Sequence, residues 1–481
     1  MADAPRFAAA DAAAVLAAAG LLGSVLGERG GVLVPVAPAA ALGGFLGAGL
    51  DSRALQPGML FAALEGERTD GRAYAAGVAA RGHWILAAPR GADGTDPLHG
   101  AAAAPGAGVL LVTDPTAALA VLATAWRRTM PAVAVGITGT NGKTTTKDLL
   151  AALLRGDGPV LATAGNLNNQ LGVPLTLLGL RPEHRWAVIE MGASAVGDIA
   201  DLAPLAAPQV GIITNASPAH LAGFGRLEDI IEGKGALVAA LPAGGTAVLN
   251  AESPGFDAWR ARTPARVVSF GKGGDHPWSW RAAPDGTGVL QMDGAAWPVP
   301  LPGAHNGANL AAAILAARAL GLGDDVLRRG LATFAGSPHR AVRLVVAGRT
   351  ILDDAYNANP RSMVAAARAL LDLPGAGRAV AVLGGMAELG DDAADIHRRV
   401  GGELAQLGLD ALVAVGEAAA PLADGFDATG ARAWRCASHD EAADWIVQHT
   451  APGDRVLIKG SRSAAMETVL DRLAARLGAQ D

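Results

Sequence analysis

Residues 135–151 read VGITGTNGKTTTKDLLA. The glycines, Lys143 and the threonines after it could do one kind of chemistry well, which is holding phosphates. Phosphate oxygens need N–H donors and a cation, and a loop of small residues running into a helix N-terminus presents both. The general phosphate loop reads G-x-x-x-x-G-K-[ST]. Gly142-Lys143-Thr144 supplies its end, but the position five before Gly142 is Ile137, with Gly136 and Gly139 on either side. On this reading Gly139, Thr140, Asn141, Gly142 and Thr145 line the cradle, Lys143 reaches the β- and γ-phosphates, and Thr144 holds Mg²⁺. The bland reading is a glycine-rich turn with an exposed lysine. G-K-T-T behind an apolar strand has few bland uses.

Such a loop needs a strand before it and a helix after it. Apolar runs PAVAVGITG (131–139), RWAVIEMG (185–192), QVGIITN (209–215) and GTAVLN (245–250) alternate with helical stretches. Short continuous apolar runs of this kind predict a parallel sheet covered on both faces. NGANLAAAILAARALGLG (306–323) predicts a helix ended by glycine. Composition turns loop-like around FAGSPHR (334–340). Strands resume at RTILDDAY, RAVAVLGG, DALVAVG and DRVLIKGS, which predicts a second, smaller α/β unit. Residues 1 to about 130 mix short strands and helices, and ATAWRRTMP (123–131) reads as a helix end and linker. The expected fold class is α/β in three domains, at 1–130, 131–336 and 337–481.

Composition narrows the function. The 481 residues are 51% hydrophobic and 17% charged, with a net charge of −6 and no basic block, which argues against a nucleic-acid footprint. Cys436 is the only cysteine, so an internal disulfide and a multi-cysteine metal site are excluded. The apolar stretch 12–27 has acidic residues before it and no small-x-small cleavage site. Stretch 30–50 carries Pro35, Pro38 and many glycines. Neither reads as a signal peptide or a spanning helix, so a cytoplasmic protein without an integral membrane segment is expected.

The loop T-G-T-N-G-K-T-T resembles the ATP-binding loop of the Mur ligases, which join amino acids or peptides to a cell-wall precursor. Folylpolyglutamate synthetases share the broader superfamily. The resemblance extends down the chain and implies further roles. VIEMGAS places Glu190 where the family has a magnesium-binding glutamate. TNASPAHLAGFG places His220 at a second metal ligand. EDIIEGKGAL places Lys234 fourteen positions later, like the family's carbamylated lysine. GAHNGANLAAA carries Asn306 and Asn309 in a nucleotide-contacting element. SPHRAVR offers Arg340 as an inter-domain arginine on phosphate, with Arg343 as the alternative. LDDAYNANPRSM supplies Asp354, which resembles the C-terminal aspartate. Taken singly, Glu190 could cap a helix, His220 could be a solvated loop histidine, Lys234 could be a surface lysine and Asn309 a polar helix start. In order and at matching spacing, they make a constellation.

DDAYNANPRSM, VLGGMAELG and LIKGSRSAAME resemble the family member that adds D-alanyl-D-alanine, while the D-x-A-H-x-P and K-G-H-E elements of a sibling are absent. LDSRALQPGMLFAALEGERTDG (50–71) resembles the first domain, which binds a uridine nucleotide. Two departures stand out. NAES offers only Glu252 where two acidic residues are common, and Gly385 stands where many relatives have aspartate. The resemblance implies ATP, two Mg²⁺ ions and a carbamylated Lys234, with a UDP-muramoyl-tripeptide and D-alanyl-D-alanine as substrates and a monomer as the working form. It implies an ATP-dependent ligation through an acyl phosphate, with Lys143, Glu190, His220, Lys234 and Arg340 as the catalytic set. Asp51, Ser52 and Arg53 are expected at the uridine nucleotide, because guanidinium pairs well with diphosphate. Asn166, Asn168 and Asn169 of GNLNNQLGVP could hold polar substrate groups, and Asn357, Asn359, Lys459 and Ser461 the dipeptide. Two alternatives stay open: another amide ligase of the superfamily, and a phosphate-loop binding protein without ligase activity.

Overall fold

The structure, a computed structural model, describes residues 6–66, 69–90, 96–218 and 221–478. The chain divides into two compact units, one of residues 1–136, 158–193 and 197–209, the other of 137–157, 194–196 and 210–481.

The first unit is built on a six-stranded mixed sheet. Its order is Val32–Val36, Leu22–Arg29, Gly108–Val112, Trp84–Ala87, Leu60–Ala63 and Ala48–Gly49. The first two pairings are antiparallel and the other three parallel. Phe61, Ile85, Val109 and Leu111 share one buried cluster. Helix Pro115–Thr129 starts where Asp114 accepts the amides of Thr116 and Ala117 and where proline, with no N–H to orphan, takes the first position. Its far end is fastened by Trp126, whose indole donates to the Leu180 carbonyl, and by Arg127, which donates to that of Ala206. Strands Val160–Ala162 and Trp186–Glu190 pair in parallel, as the apolar run 185–192 predicts for the second of them.

In the second unit, strands Val210–Ile213, Thr246–Asn250 and Arg266–Phe270 run parallel. Helix Lys143–Arg155 buries Leu149, Leu150, Leu153 and Leu154 completely. Each such leucine contributes about 1.5–3 kcal/mol. Helices Ala304–Ala319 and Asp324–Leu331 cover it. The approach of the second is close: a Cβ at Gly330 would stand 2.4 Å from the carbonyls of Ala152 and Leu153. A three-stranded antiparallel sheet, Trp278–Ala282, Gly288–Met292 and Ala295–Val299, interrupts the α/β pattern. The sequence reading did not anticipate it. Its signal is the alternation in WSWRA, which puts Trp278 and Trp280 on one face.

The C-terminal sheet has the order Val342–Val346, Arg349–Asp354, Arg455–Lys459, Ala379–Gly384, Ala411–Val415 and Ala433–Cys436. Only the first pairing is antiparallel. Separate apolar clusters cover its two faces, which is why the four predicted strands read as continuous apolar runs.

Candidate active site

The phosphate loop is shaped by two glycines that can be nothing else. Gly142 has φ +82°, and a Cβ there would lie 2.2 Å from Oδ1 of Asn309. Gly139 has φ +147°, and its Cβ would lie 1.9 Å from Oγ1 of Thr214. Gly142 opens helix Lys143–Arg155. The first-turn amides of a helix have no acceptor within it and carry the positive end of its dipole. Lys143 folds back over the loop, its Nζ donating to the carbonyls of Gly139 at 3.0 Å and Thr140 at 3.3 Å. Thr144 is buried at the base of the cradle.

A second loop, Thr214–Ser217, buttresses the first. The Asn215 carbonyl accepts the Thr140 amide at 2.9 Å, and its Oδ1 accepts the Asn141 amide at 3.1 Å. Thr214 Oγ1 and Asn215 Nδ2 both donate to the Asn141 carbonyl. Ser217 exchanges bonds with Thr140 Oγ1 in both directions. Of this stretch only His220 was expected at the site; Thr214, Asn215 and Ser217 were not. The signal was a T-N-x-S cluster straight after an apolar strand.

Asn306 and Asn309 begin helix Ala304–Ala319 and are both buried. Asn309 Nδ2 donates to Asn306 Oδ1 at 3.1 Å, and Asn306 Nδ2 to the Pro302 carbonyl at 2.8 Å. His305, between them and the preceding glycine, is held below its ordinary pKa by desolvation.

The C-terminal candidates come together around two consecutive aspartates. Lys459, 3% exposed, donates to Asp354 Oδ2 and to the Asn357 carbonyl at 2.8 Å. The other oxygen of Asp354 accepts the Ala341 amide. Both Asp354 oxygens are therefore engaged by the protein. Asn359 caps helix Pro360–Asp372 in a reciprocal box with Ser362 and also reaches Asn141 of the phosphate loop. Arg340 stands over the Tyr356 ring, 4.0 Å from guanidinium carbon to ring centroid. Arg343, the alternative, donates instead to the Asp285 carbonyl. Ser461 is buried, its amide on the Gly385 carbonyl. Asn357, Asn359, Glu388, Leu389, Arg462 and Ser463 line a cavity of about 430 Å³.

Lys234 is 2% exposed on helix Leu227–Ala239, with Nζ 5.5 Å from the Phe224 ring centroid. The surface-lysine reading is corrected by this burial. His220 lies outside the described residues.

In the first unit, Glu190 ends strand Trp186–Glu190 at 1% exposure. One carboxylate oxygen accepts Asn168 Nδ2 at 2.8 Å, and the other is buried with no hydrogen-bond partner. Its main-chain amide donates to Thr163 Oγ1 at 2.9 Å, and helix Asp198–Ala206 starts at Gly197 with no side-chain cap, so the capping reading gains no support. A buried anionic oxygen without a donor fits a cation or a metal-bound water. Among the described residues no group of three or more His, Cys, Asp and Glu side chains converges. Asn169 caps the turn into helix Gly172–Leu178 through the Gly172 amide, and Asn166 is exposed. Arg53 is 88% exposed and makes a two-pronged pair with Asp51, whose carboxyl it draws down to about 2. Ser52 offers its carbonyl to Arg81.

A strand, a glycine cradle, a lysine folded over it and a helix N-terminus define a nucleotide-dependent phosphoryl-transfer protein of the phosphate-loop class. Residues 137–317 match the Mur ligase middle domain, and 339–462 match the "Mur ligase, glutamate ligase domain". The UDP-N-acetylmuramoyl-tripeptide–D-alanyl-D-alanine ligase of Escherichia coli K12 is 35% identical over 443 residues, covering 88% of this chain and 92% of that one. Its counterpart in Mycobacterium tuberculosis H37Rv is 37% identical over 468 residues, covering 88% and 91%. A crystal structure of MurF from Acinetobacter baumannii superposes with TM-score 0.79 at 34% identity, covering 89% of this chain and 93% of that one. MurF ligase from Thermotoga maritima in complex with ADP gives 0.76 at 28% identity, covering 89% and 97%. The chain belongs to the Mur ligase family. Its fold class is the three-domain α/β architecture, with an N-terminal α/β domain, a central phosphate-loop domain and a Rossmann-like C-terminal domain.

Proposed function

We propose that this chain is the ATP-dependent ligase that joins D-alanyl-D-alanine to UDP-N-acetylmuramoyl-tripeptide in the synthesis of a peptidoglycan precursor. The observation that carries the reading is the buttressed phosphate loop, in a chain that spans nine-tenths of relatives bearing that activity in their names. A carboxylate and an amine do not condense in water, because both are charged and hydroxide leaves poorly. Phosphorylating the carboxylate gives an acyl phosphate, which the dipeptide amine then attacks. Most of the catalysis of such a transfer is positioning and charge neutralisation.

The residues divide as follows. Residues Gly139–Thr145 form the cradle for the β- and γ-phosphates, with the amides that Asn215 does not occupy as donors, and Lys143 swings from its carbonyls onto them. Asn306, Asn309 and Asp354 serve the nucleotide, and Arg340 the transferring phosphoryl group. Thr144, Glu190, His220 and a carbamylated Lys234 hold magnesium, for which the orphaned oxygen of Glu190 is suited. Bound there, magnesium neutralises phosphate oxygens. Carbamylation of the buried Lys234, in which its amine adds CO₂ and releases a proton, would replace a cation by an oxygen anion of the kind magnesium prefers. Asp51, Ser52 and Arg53 take the uridine nucleotide, and Asn166, Asn168 and Asn169 substrate polar groups. The cavity with Asn357 and Asn359, backed by Lys459 and Ser461, takes the dipeptide. The domains run 1–130, 131–336 and 337–481, and the enzyme works as a monomer. No helix among the described residues is long and apolar enough to cross a membrane. We place the reaction in the cytoplasm, where ATP is available. Phosphate release tests the proposal: it should need ATP, Mg²⁺, the nucleotide tripeptide and D-alanyl-D-alanine together. Turnover with L-lysine or glutamate but not the dipeptide would overturn it.

A further inference from the structure

The segment Asp353–Tyr356 grips the segment His339–Ala341 residue by residue. Asp353 Oδ2 meets His339 Nδ1 at 2.8 Å. Asp354 Oδ1 accepts the Ala341 amide at 3.1 Å. The Tyr356 amide donates to the His339 carbonyl at 3.1 Å, and the Tyr356 ring lies under the Arg340 guanidinium. His339 and Ala341 both hold left-handed backbone, at φ +59° and +53°. A side chain makes that conformation unfavourable, and it persists only where neighbours over-determine it. Here the two aspartates and the tyrosine amide do so on either side of Arg340. What they leave unfixed is the arginine's own side chain, with its several rotatable bonds. Among the described residues, its head group meets the aromatic face of Tyr356.

We infer that Tyr356 is the positioning residue for Arg340, its ring acting as a platform that holds the guanidinium flat while its N–H groups stay free for phosphate oxygens. This rests on the proposed role of Arg340. A guanidinium stacked on a ring donates in its own plane, so the stacking leaves its donors available. The same charge held by a hydrogen-bonding partner would spend donors to gain order. The platform therefore orders the cation without using what it needs for catalysis. Its effect should fall on the phosphoryl-transfer step, where charge is redistributed, more than on binding of the dipeptide.

The test is steady-state kinetics of the full enzyme with Arg340→Ala, Tyr356→Leu, Tyr356→Phe and the Arg340→Ala/Tyr356→Leu double variant, with thermal unfolding of each. Losing the platform should lower kcat about tenfold and leave KM for D-alanyl-D-alanine unmoved. Tyr356→Phe, which keeps the ring, should recover kcat to within about twofold of the parent. In the double variant, removing the ring should cost nothing further. A Tyr356→Leu penalty of equal size in the Arg340→Ala background would overturn the inference, since the ring would then act without the arginine. Tyr356→Phe as slow as Tyr356→Leu would also overturn it. Arg340→Ala at parental kcat would sink the role of Arg340 itself, a different failure that the single variant identifies.

Discussion

Asn359 donates from Nδ2 to Oδ1 of Asn141 at 2.6 Å, while its own Oδ1 accepts the Ser362 amide at 3.0 Å. One side-chain amide thus starts a C-terminal helix and fastens the phosphate loop. The two jobs can be separated. Asn359→Asp keeps an N-cap acceptor but loses the donor and sets a negative charge beside the cradle. It should unfold within a few degrees of the parent and raise KM for ATP. Asn359→Ala should raise KM and also lose about 1 kcal/mol of stability, the usual cost of an N-cap. Calorimetry with ATP titration checks both, and an Asp variant with unchanged KM would remove the tie to Asn141.

Lys143→Ala should slow turnover by roughly 10³-fold or more, because it removes a cation from oxygens whose charge is shifting. The fold should survive, since the Nζ bonds go to loop carbonyls. Near-parental phosphate release from this variant would refute the loop's role.

Lys234→Ala should be almost inactive and partly rescued by short carboxylates, which replace the anion a carbamate supplies. Mass spectrometry under bicarbonate and a rescue titration with acetate or formate read this out. An active Lys234→Ala enzyme would sink the carbamate.

His397 is fixed as a neutral ring. Its Nε2 accepts the Met386 amide at 2.9 Å, so the proton sits on Nδ1, facing the Ala393 carbonyl at 2.6 Å. Burial holds its pKa below the ordinary value. The folded state therefore binds fewer protons than the unfolded one. Its contribution is whole above about pH 6.5 and is lost as pH falls towards and through the lowered value, by at most about 1.4 kcal/mol per pH unit. His305 shifts in the same direction. Thermal midpoints should fall between pH 7.5 and 5.5, and His397→Gln, which can accept from Met386 and donate to Ala393, should flatten the slope. Because Met386 precedes Ala387, Glu388 and Leu389 at the cavity, dipeptide binding should weaken over the same range.

Cys436 is 8% exposed, and burial pushes its thiol up to about 11. About one molecule in a thousand is then thiolate at pH 8, against roughly a quarter for a free cysteine. Iodoacetamide should label the folded protein slowly and the denatured protein at once, with no loss of activity before unfolding. Fast labelling with inactivation would contradict the burial.

How much was legible depended on where the partners lie. Gly142 and Lys143 could be read because a phosphate loop is local: its glycines, cation and helix lie within a few residues. Four strands of the C-terminal sheet could be read because both of its faces are covered, which leaves unbroken apolar runs, whereas the more exposed edge strands Val342–Val346 and Ala433–Cys436 were not read. Thr214 and Asn215 were missed: the T-N-x-S cluster marks a polar turn after a strand, but their role depends on which loop that strand's end lies beside. Asn359 was expected only to meet substrate, yet its oxygen is used by the helix it starts. Asp354 was expected from the resemblance alone, and nothing local shows that Lys459, over a hundred residues later, pairs with it. The antiparallel Trp278–Val299 sheet was missed because its alternating signal sits inside a long α/β run.

The paired asparagines Asn141 and Asn359 also differ in chemical durability. An asparagine before glycine is open to attack on its side-chain amide by the next main-chain nitrogen, because no side chain blocks the path. Asn141 precedes Gly142. Asn359 precedes Pro360, whose ring nitrogen has no hydrogen to give up, so that route is closed. The two partners of one hydrogen bond therefore have opposite chemical lifetimes. Slow loss of the Asn141 amide would place a carboxylate where phosphates are meant to rest, and stored protein would stay folded while losing its hold on the nucleotide.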